Sequence, residues 1–264
     1  MLPVLFHIGP YPIGTHDCLV LLGVVAATLV YLYEAERRAM LNDQLLSIAI
    51  GALFCGAVAA KLSTAWRYLA FAPEPSLLGM MEQGGKSILG GLAGAYAGAV
   101  LTKRLIGYRE PTGDLFAPAV ALGMAIGRWG CFLTEQIGTP TELPWGISVS
   151  KQAAAHIPSC PYCGSGVKLH PSFIYEIIFH ALMFGCLWWL RPRVSIKGDL
   201  LKIYLLAYAL FRFAVEFVRG NQVVWEGLTR SQLFLIPSTL LLLLYFWRRW
   251  ARGAHTPTTL QGGT

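Results

Sequence analysis

Arg128 sits near the end of the apolar segment 115–133, in the run Gly127-Arg128-Trp129-Gly130-Cys131-Phe132. An arginine at mid-bilayer costs about 2.5–3.5 kcal/mol on insertion scales, so it is retained for a partner or a ligand. A second set of polar groups, Tyr208, Arg212, Glu216 and Arg219, lies on the apolar segment 200–218 and at its end. At about 100° per residue these four fall within roughly 80° of arc, on one face of a helix. Glu216 is spaced to pair with Arg212 at i,i+4 and with Arg219 at i,i+3. Two arginines against one glutamate leave a positive excess, and Arg128 adds a third guanidinium. Planar, bidentate donors of this kind suit a phosphate. The alternative is a structural ion-pair network facing the bundle interior.

Two further stretches carry reactive groups. In His170-Pro171-Ser172-Phe173-Ile174-Tyr175-Glu176 a polar loop meets an apolar segment. Ser172 is spaced to cap the helix that follows, and Tyr175 and Glu176 fall one turn inside it. A tyrosine at that depth is an interface anchor. The glutamate needs a partner, and Arg128 and Arg219 are the candidates. Upstream, Cys160 and Cys163 bracket a Pro-Tyr pair, with His156 and His170 nearby. Those four residues are a candidate zinc set. The two thiols are equally a candidate disulfide in an oxidising compartment, with free thiols as a further alternative and a redox-active pair after that.

The elements that position these groups follow from composition. The chain has 264 residues, 55% of them hydrophobic and only 13% charged, with a formal net charge of +7. A soluble domain carries roughly 25% charged residues, so an all-α integral membrane protein is expected. Apolar runs long enough to cross a bilayer mark about seven transmembrane helices, over 17–34, 45–65, 87–105, 115–133, 172–190, 200–218 and 231–247. They form a single transmembrane domain over 1–250. Glycines four apart, at Gly90, Gly94 and Gly98 and again at Gly123 and Gly127, predict close helix packing and interior positions for the third and fourth helices.

Basic residues orient the bundle. Arg37, Arg38, Lys103, Arg104, Arg109, Arg191, Arg193, Lys197, Arg248, Arg249 and Arg252 cluster on one side. Arg67, Lys86, Lys151, Lys168 and Arg230 are thinly spread on the other. The bias predicts an N-terminus outside and a cytoplasmic C-terminus. The loops near 66–86 and 134–171 are then external, and 251–264 is a disordered cytoplasmic tail. Loops of that length tend to be functional, which sets the chemistry near the outer leaflet. The basic residues fall in short juxtamembrane groups that this topology explains, so no nucleic acid partner is expected.

Four blocks, in order, resemble the prolipoprotein diacylglyceryl transferase family, a group of bacterial membrane enzymes. They are Gly90-Gly91-Leu92-Ala93-Gly94, Gly127-Arg128-x-Gly130-x-Phe132 running on to Pro144-Trp145-Gly146, His170-Pro171-Ser172-x-x-Tyr175-Glu176, and Tyr208-x-x-x-Arg212-x-x-x-Glu216-x-x-Arg219. The resemblance implies a multi-pass protein of the bacterial plasma (inner) membrane that works in lipoprotein biosynthesis. It implies transfer of a diacylglyceryl group from phosphatidylglycerol to the lipobox cysteine of a prolipoprotein signal peptide, with release of glycerol phosphate. It also implies that Arg128 and Arg212 lie by the lipid head group. Tyr208, Glu216 and His170 then belong to the catalytic set, and Arg219, Tyr175, Glu176, Gly90, Gly91 and Cys131 to substrate binding. No cofactor is implied. The chain departs from the family pattern at Leu89, where a histidine proposed as base is usual, at Cys131, where asparagine is usual, and at His16, where an aromatic tyrosine is usual. His16, His170 and Glu216 are the remaining candidates for the base. The alternative is a catalytically altered relative that binds an anionic phospholipid or transfers lipid to another acceptor.

Overall fold

The structure is a computed structural model that describes residues 4–9, 11–71, 76, 79, 87–155, 157, 160–193 and 197–254. Long helices form over every predicted apolar segment: α1 (Thr15–Arg37), α2 (Asp43–Phe71), α3 (Ile88–Leu105), α4 (Gly113–Thr134), α6 (Ser172–Leu190), α7 (Asp199–Val215) and α8 (Arg230–Ala254). A short α5 (Lys151–Ala154) lies in the loop between α4 and α6. Of these helices five, α1, α2, α4, α6 and α8, are long and apolar enough to cross a membrane. The other two are shorter or more charged: α3 carries Lys103 and Arg104 in its last turn, and α7 has 17 residues opening on Asp199.

The chain divides into two compact units, Leu32–Pro111 and Met1–Tyr31 with Thr112–Thr264. In the smaller unit α2 and α3 pack through their glycines. A Cβ on Gly94 would meet the Cys55 carbonyl oxygen at 2.6 Å, and one on Gly98 would meet that of Gly51 at 2.5 Å. Only a bare glycine allows backbones this close. Gly98 is the one buried residue of α3, so the glycines make a packing seam and not the interior helix expected there. The Ser87 hydroxyl caps α3, accepting from Gly90 N–H at 3.1 Å.

In the larger unit α4 is central, with 50% of its most apolar stretch buried. It meets α1 where a Cβ on Gly123 would touch the Gly23 carbonyl at 3.0 Å. Helices α4, α6 and α7 enclose a core of Ala117, Ala121, Leu187, Leu200 and Tyr204, and α8 lies along α7. Asp114 accepts the Leu200 N–H at 3.1 Å, which fixes the start of α7 against the start of α4. The segment between α4 and α6 is folded. Its strands β3 (Ile147–Ser148) and β4 (Lys168–Leu169) pair antiparallel over a small core of Ile137, Val149, Ile157 and Leu169. Hairpins β1 (Val4–Ile8) with β2 (Tyr11–Gly14), and β5 (Val223–Trp225) with β6 (Leu228–Thr229), complete the described elements.

Several expectations need correction. Helix α7 stops at Val215 and tightens into a 3-10 turn over Glu216–Val218, so Arg219 leaves the helical stripe. The chain then reverses through Gly220 at φ +79°, a conformation open to glycine without strain. Ser172 is the first helical residue of α6 and not its cap. Pro171 occupies that place without a side-chain bond, and the Ser172 hydroxyl donates to the Ile137 carbonyl. Helix α8 runs to Ala254, past the expected start of the tail, and 255–264 lie outside the described residues. The loop near 66–86 is helical through Phe71, and most of its remainder is outside the described residues.

Candidate functional site

Arg128, Glu176, Tyr208, Arg212 and Glu216 converge in the interior of the larger unit, each 5% exposed or less. Arg128 reaches them from the last two turns of α4, Glu176 from the first turns of α6, and Tyr208 and Arg212 from the second half of α7. Arg128 forms an ion pair with Glu176, and its Nη2 donates to the Tyr208 hydroxyl at 3.2 Å. Arg219 Nη1 meets the other Glu176 oxygen at 2.6 Å. One glutamate therefore takes both of its candidate partners. Arg212 pairs with Glu216, as the i,i+4 spacing predicts.

The expected Glu216–Arg219 side-chain pair is absent among the described contacts, and the end of α7 explains why. Glu216 Oε1 instead accepts from Asn221 Nδ2 at 2.7 Å and from the Thr229 hydroxyl at 2.8 Å. The 3-10 turn releases Arg219 toward α6, where its guanidinium lies 4.4 Å from the centroid of the Phe173 ring. The ring faces a cation, a favourable arrangement when desolvated.

The Arg128 and Arg212 guanidiniums are buried and the Arg219 side chain is 12% exposed; against Glu176 and Glu216 they carry one further positive charge, which Glu135 balances from the rim. Glu135, at the rim with its side chain 45% exposed, lies 3.6 Å from Arg219 Nη2. Arg128 Nε is buried with no hydrogen-bond partner among the described residues. A buried charged donor left open is expensive, and an unmet planar donor is what an anionic oxygen requires. Preorganised guanidiniums would also stabilise charge growing on a leaving phosphate.

The remaining predicted residues divide among three places. His170 Nδ1 is 3.2 Å from the Tyr175 hydroxyl, which accepts from Trp145 Nε1 at 2.8 Å. The loop and the start of α6 are thus stitched together at this rim. Gly90 and Gly91 belong to the smaller unit, packed on α2: a Cβ on Gly91 would touch that of Ala60 at 3.4 Å. His16 and Cys131 form a third group. His16 Nε2 lies 3.7 Å from Cys131 Sγ and 3.8 Å from Glu135 Oε1, and its Nδ1 is 3.4 Å from Asp17 Oδ1. Gly130 makes the approach of α1 possible, since a Cβ there would sit 3.1 Å from the His16 Cα. Cys160 and Cys163 are joined in a disulfide, so the candidate zinc set at the loop loses both thiolates. His156 of that set lies outside the described residues.

The sequence reading missed His180, Tyr204 and Glu135. His180 is fully buried, with Nδ1 3.0 Å from the Tyr204 hydroxyl and its ring 4.8 Å from that of Tyr208. Its i,i+4 spacing from Glu176 along α6 is a signal that places both on one face. Glu135 gave none, because a carboxylate at a loop edge is ordinary.

The family model described as prolipoprotein diacylglyceryl transferase matches residues 3–248 of this chain. A relative from Chromohalobacter salexigens, named phosphatidylglycerol–prolipoprotein diacylglyceryl transferase, is 30% identical over 262 residues, covering 94% of this chain and 92% of its own length. Two more relatives carry that name. The one from Finegoldia magna is 31% identical over 240 residues, with 88% of this chain and 90% of the relative covered. The one from Clostridioides difficile is 31% identical over 236 residues, covering 87% and 88%.

Proposed function

The chain belongs to the prolipoprotein diacylglyceryl transferase family, and from that premise we propose that it transfers a diacylglyceryl group from phosphatidylglycerol to the lipobox cysteine of prolipoprotein signal peptides. Glycerol phosphate is the leaving product. The observation that carries this reading is the buried arginine cluster with Arg128 Nε open. Arg128 and Arg212 hold the lipid phosphate, Arg219 supports it from the rim, and Tyr208 and Glu176 fix the Arg128 guanidinium. Glu216 sets Arg212 and the turn after α7. Tyr175 and His170 line the mouth, Cys131 contacts the acceptor side, and Gly90 and Gly91 contribute to lipid contact from their own helix pair.

The reaction needs the acceptor thiol as a thiolate. Its sulfur attacks the glyceryl carbon, the carbon–oxygen bond to phosphate breaks, and the electron pair leaves on the phosphate oxygen beside the guanidiniums. His16 takes the thiol proton in this reading, since its Nε2 lies 3.7 Å from Cys131 Sγ with its side chain part exposed at the rim. A His16→Phe variant that lipidates a model precursor at the wild-type rate would remove it from that role.

The setting is the bacterial inner membrane, with seven helices in one transmembrane domain, the N-terminus outside and the C-terminus cytoplasmic. No nucleic acid takes part. Purified full-length protein, phosphatidylglycerol and a lipobox peptide test the proposal, with a relative of established activity run in parallel. Lipidated peptide and free glycerol phosphate are expected, and their absence while the relative works would overturn it. A second reading, binding of an anionic phospholipid without transfer or with another acceptor, is favoured by Leu89 and Cys131, which replace usual family residues. Failure to rescue a strain depleted of its own transferase, despite stable membrane expression, would favour that second reading.

A further inference from the structure

The group around Cys131 does more than supply an imidazole. Three different donor types meet there, His16 Nε2, Cys131 Sγ and a Glu135 oxygen, all within 4.8 Å of one another. Tetrahedral zinc, with bonds of about 2.0–2.3 Å, sets its ligand atoms roughly 3.3–3.8 Å apart. His16 Nε2 is already at 3.7 Å from the sulfur and 3.8 Å from the carboxylate.

The supports of a metal site are present too. Cys131 lies in the last turn of α4 and Glu135 caps its end, the Glu135 N–H donating to the Cys131 carbonyl at 2.8 Å, which keeps the two residues together. Gly130 lets the first turn of α1 bring His16 against them. Behind the imidazole, Asp17 Oδ1 faces Nδ1 at 3.4 Å, the carboxylate–histidine arrangement that orients metal-bound imidazoles. Glu135 divides its oxygens: Oε2 faces Arg219 at 3.6 Å and Oε1 faces His16. The sulfur is buried, whereas the His16 and Glu135 side chains are 26% and 45% exposed, which leaves an entry path.

We propose that His16, Cys131 and Glu135 bind a zinc ion whose fourth position takes the acceptor thiol. Three protein ligands with one open position is the arrangement of catalytic zinc, and a mixed nitrogen, sulfur and oxygen set suits zinc over magnesium or calcium. A thiol that coordinates zinc loses its proton outright, so with zinc bound His16 is a ligand and the metal takes over the deprotonation that the imidazole performs without it. The balance is simple: the S–H bond breaks and its proton passes to water, the S–C bond forms, and the C–O bond to phosphate breaks. Glu135 ties this position to the arginine cluster through Arg219. The role of the fourth position rests on the proposed transfer reaction; binding of zinc itself does not.

The test uses purified full-length protein, stripped with chelator and then titrated with Zn²⁺ alone and, separately, with Co²⁺. About one zinc per chain and a sulfur-to-cobalt charge-transfer absorption are expected. Cys131→Ser and His16→Phe should each weaken zinc by more than about tenfold, since even outer-shell changes cost 10–100-fold. Glu135→Gln, at a half-exposed position, should do likewise, and Cys186→Ser on the exposed face of α6 should not. No zinc bound by wild type, or zinc retained by all three ligand variants, overturns the site. Lipidation that is unchanged between stripped and zinc-loaded protein overturns the thiol role while leaving the transferase reading intact. Zinc bound through these residues without any lipidation keeps the site and removes the transferase reading.

Discussion

Helix α7 carries an ion-pair cluster at each end, and the two are built differently. At its start, Asp199 accepts from Lys202 Nζ at 3.0 Å and from the Tyr245 hydroxyl at 2.7 Å, and its second oxygen meets Arg249 Nη1 at 2.6 Å. The cationic side chains there are 31% and 33% exposed. An acidic residue at a helix N-terminus with solvated cations around it is explained by the helix dipole and local pairing. At the other end Arg128, Arg212, Glu176 and Glu216 are buried, Arg219 links Glu176 to Glu135 at the rim, and Arg128 Nε is left open. The ingredients are the same, yet only the second cluster buries its arginines and leaves one of their donors unmet. Pairing alone does not mark a functional site; burial with an unmet donor does.

The sharpest way to break this contrast is to truncate one residue in each cluster. Arg128→Ala should lower the rate of lipidation by about 10²–10³-fold, the scale for losing one preorganised donor to a growing oxyanion. Arg128→Lys should recover little, since a point charge does not replace a planar fork. Glu176→Gln strands two arginines in the interior, so thermal stability in detergent should fall by about 3–5 kcal/mol, the scale for a broken buried pair. Tyr208→Phe removes one hydrogen bond to Arg128 and should slow lipidation by roughly tenfold, with stability little changed.

The smallest effects belong to the other end of α7. Tyr245→Phe should leave lipidation at the wild-type rate and change stability by about 1 kcal/mol or less. The same cluster has a pH signature. Burial pushes the Asp199 carboxyl up, but hydrogen bonds from Tyr245 and Lys202 and the charges of Lys202 and Arg249 hold it below the ordinary carboxylate range. Its folded-state value is thus depressed, so its contribution is present above the unfolded value of about 3.9 and is lost as pH falls through the lower folded value. Thermal melts of wild type and Asp199→Asn should therefore differ at neutral pH and converge well below about pH 4.

What the sequence made legible follows from these energetics. Charges in apolar runs are anomalies, so Arg128, Arg212, Glu176 and Glu216 stood out, and i,i+4 spacing paired Arg212 with Glu216 correctly. Of the two partners the sequence offers Arg219, Glu176 holds and Glu216 does not, because apolar periodicity says nothing of a helix tightening after Val215. Glu135 escaped notice because its charge is normal at a rim; its neighbours His16 and Cys131 come from distant segments brought together by the close approaches at Gly123 and Gly130. The Asp199–Arg249 pair is a contact between distant segments, which no local pattern encodes. Glycine spacing read the α2–α3 seam well but overstated the burial of α3, since a seam needs only one face.

The account rests on Arg128 acting on a lipid phosphate and not merely holding the bundle together. The most direct measurement is glycerol phosphate release from phosphatidylglycerol in the presence of a lipobox peptide, by wild type, Arg128→Ala and Tyr245→Phe at equal amounts of folded protein. Release by wild type and Tyr245→Phe, with loss of about 10²-fold or more in Arg128→Ala, is the predicted result. Equal release by all three would contradict it.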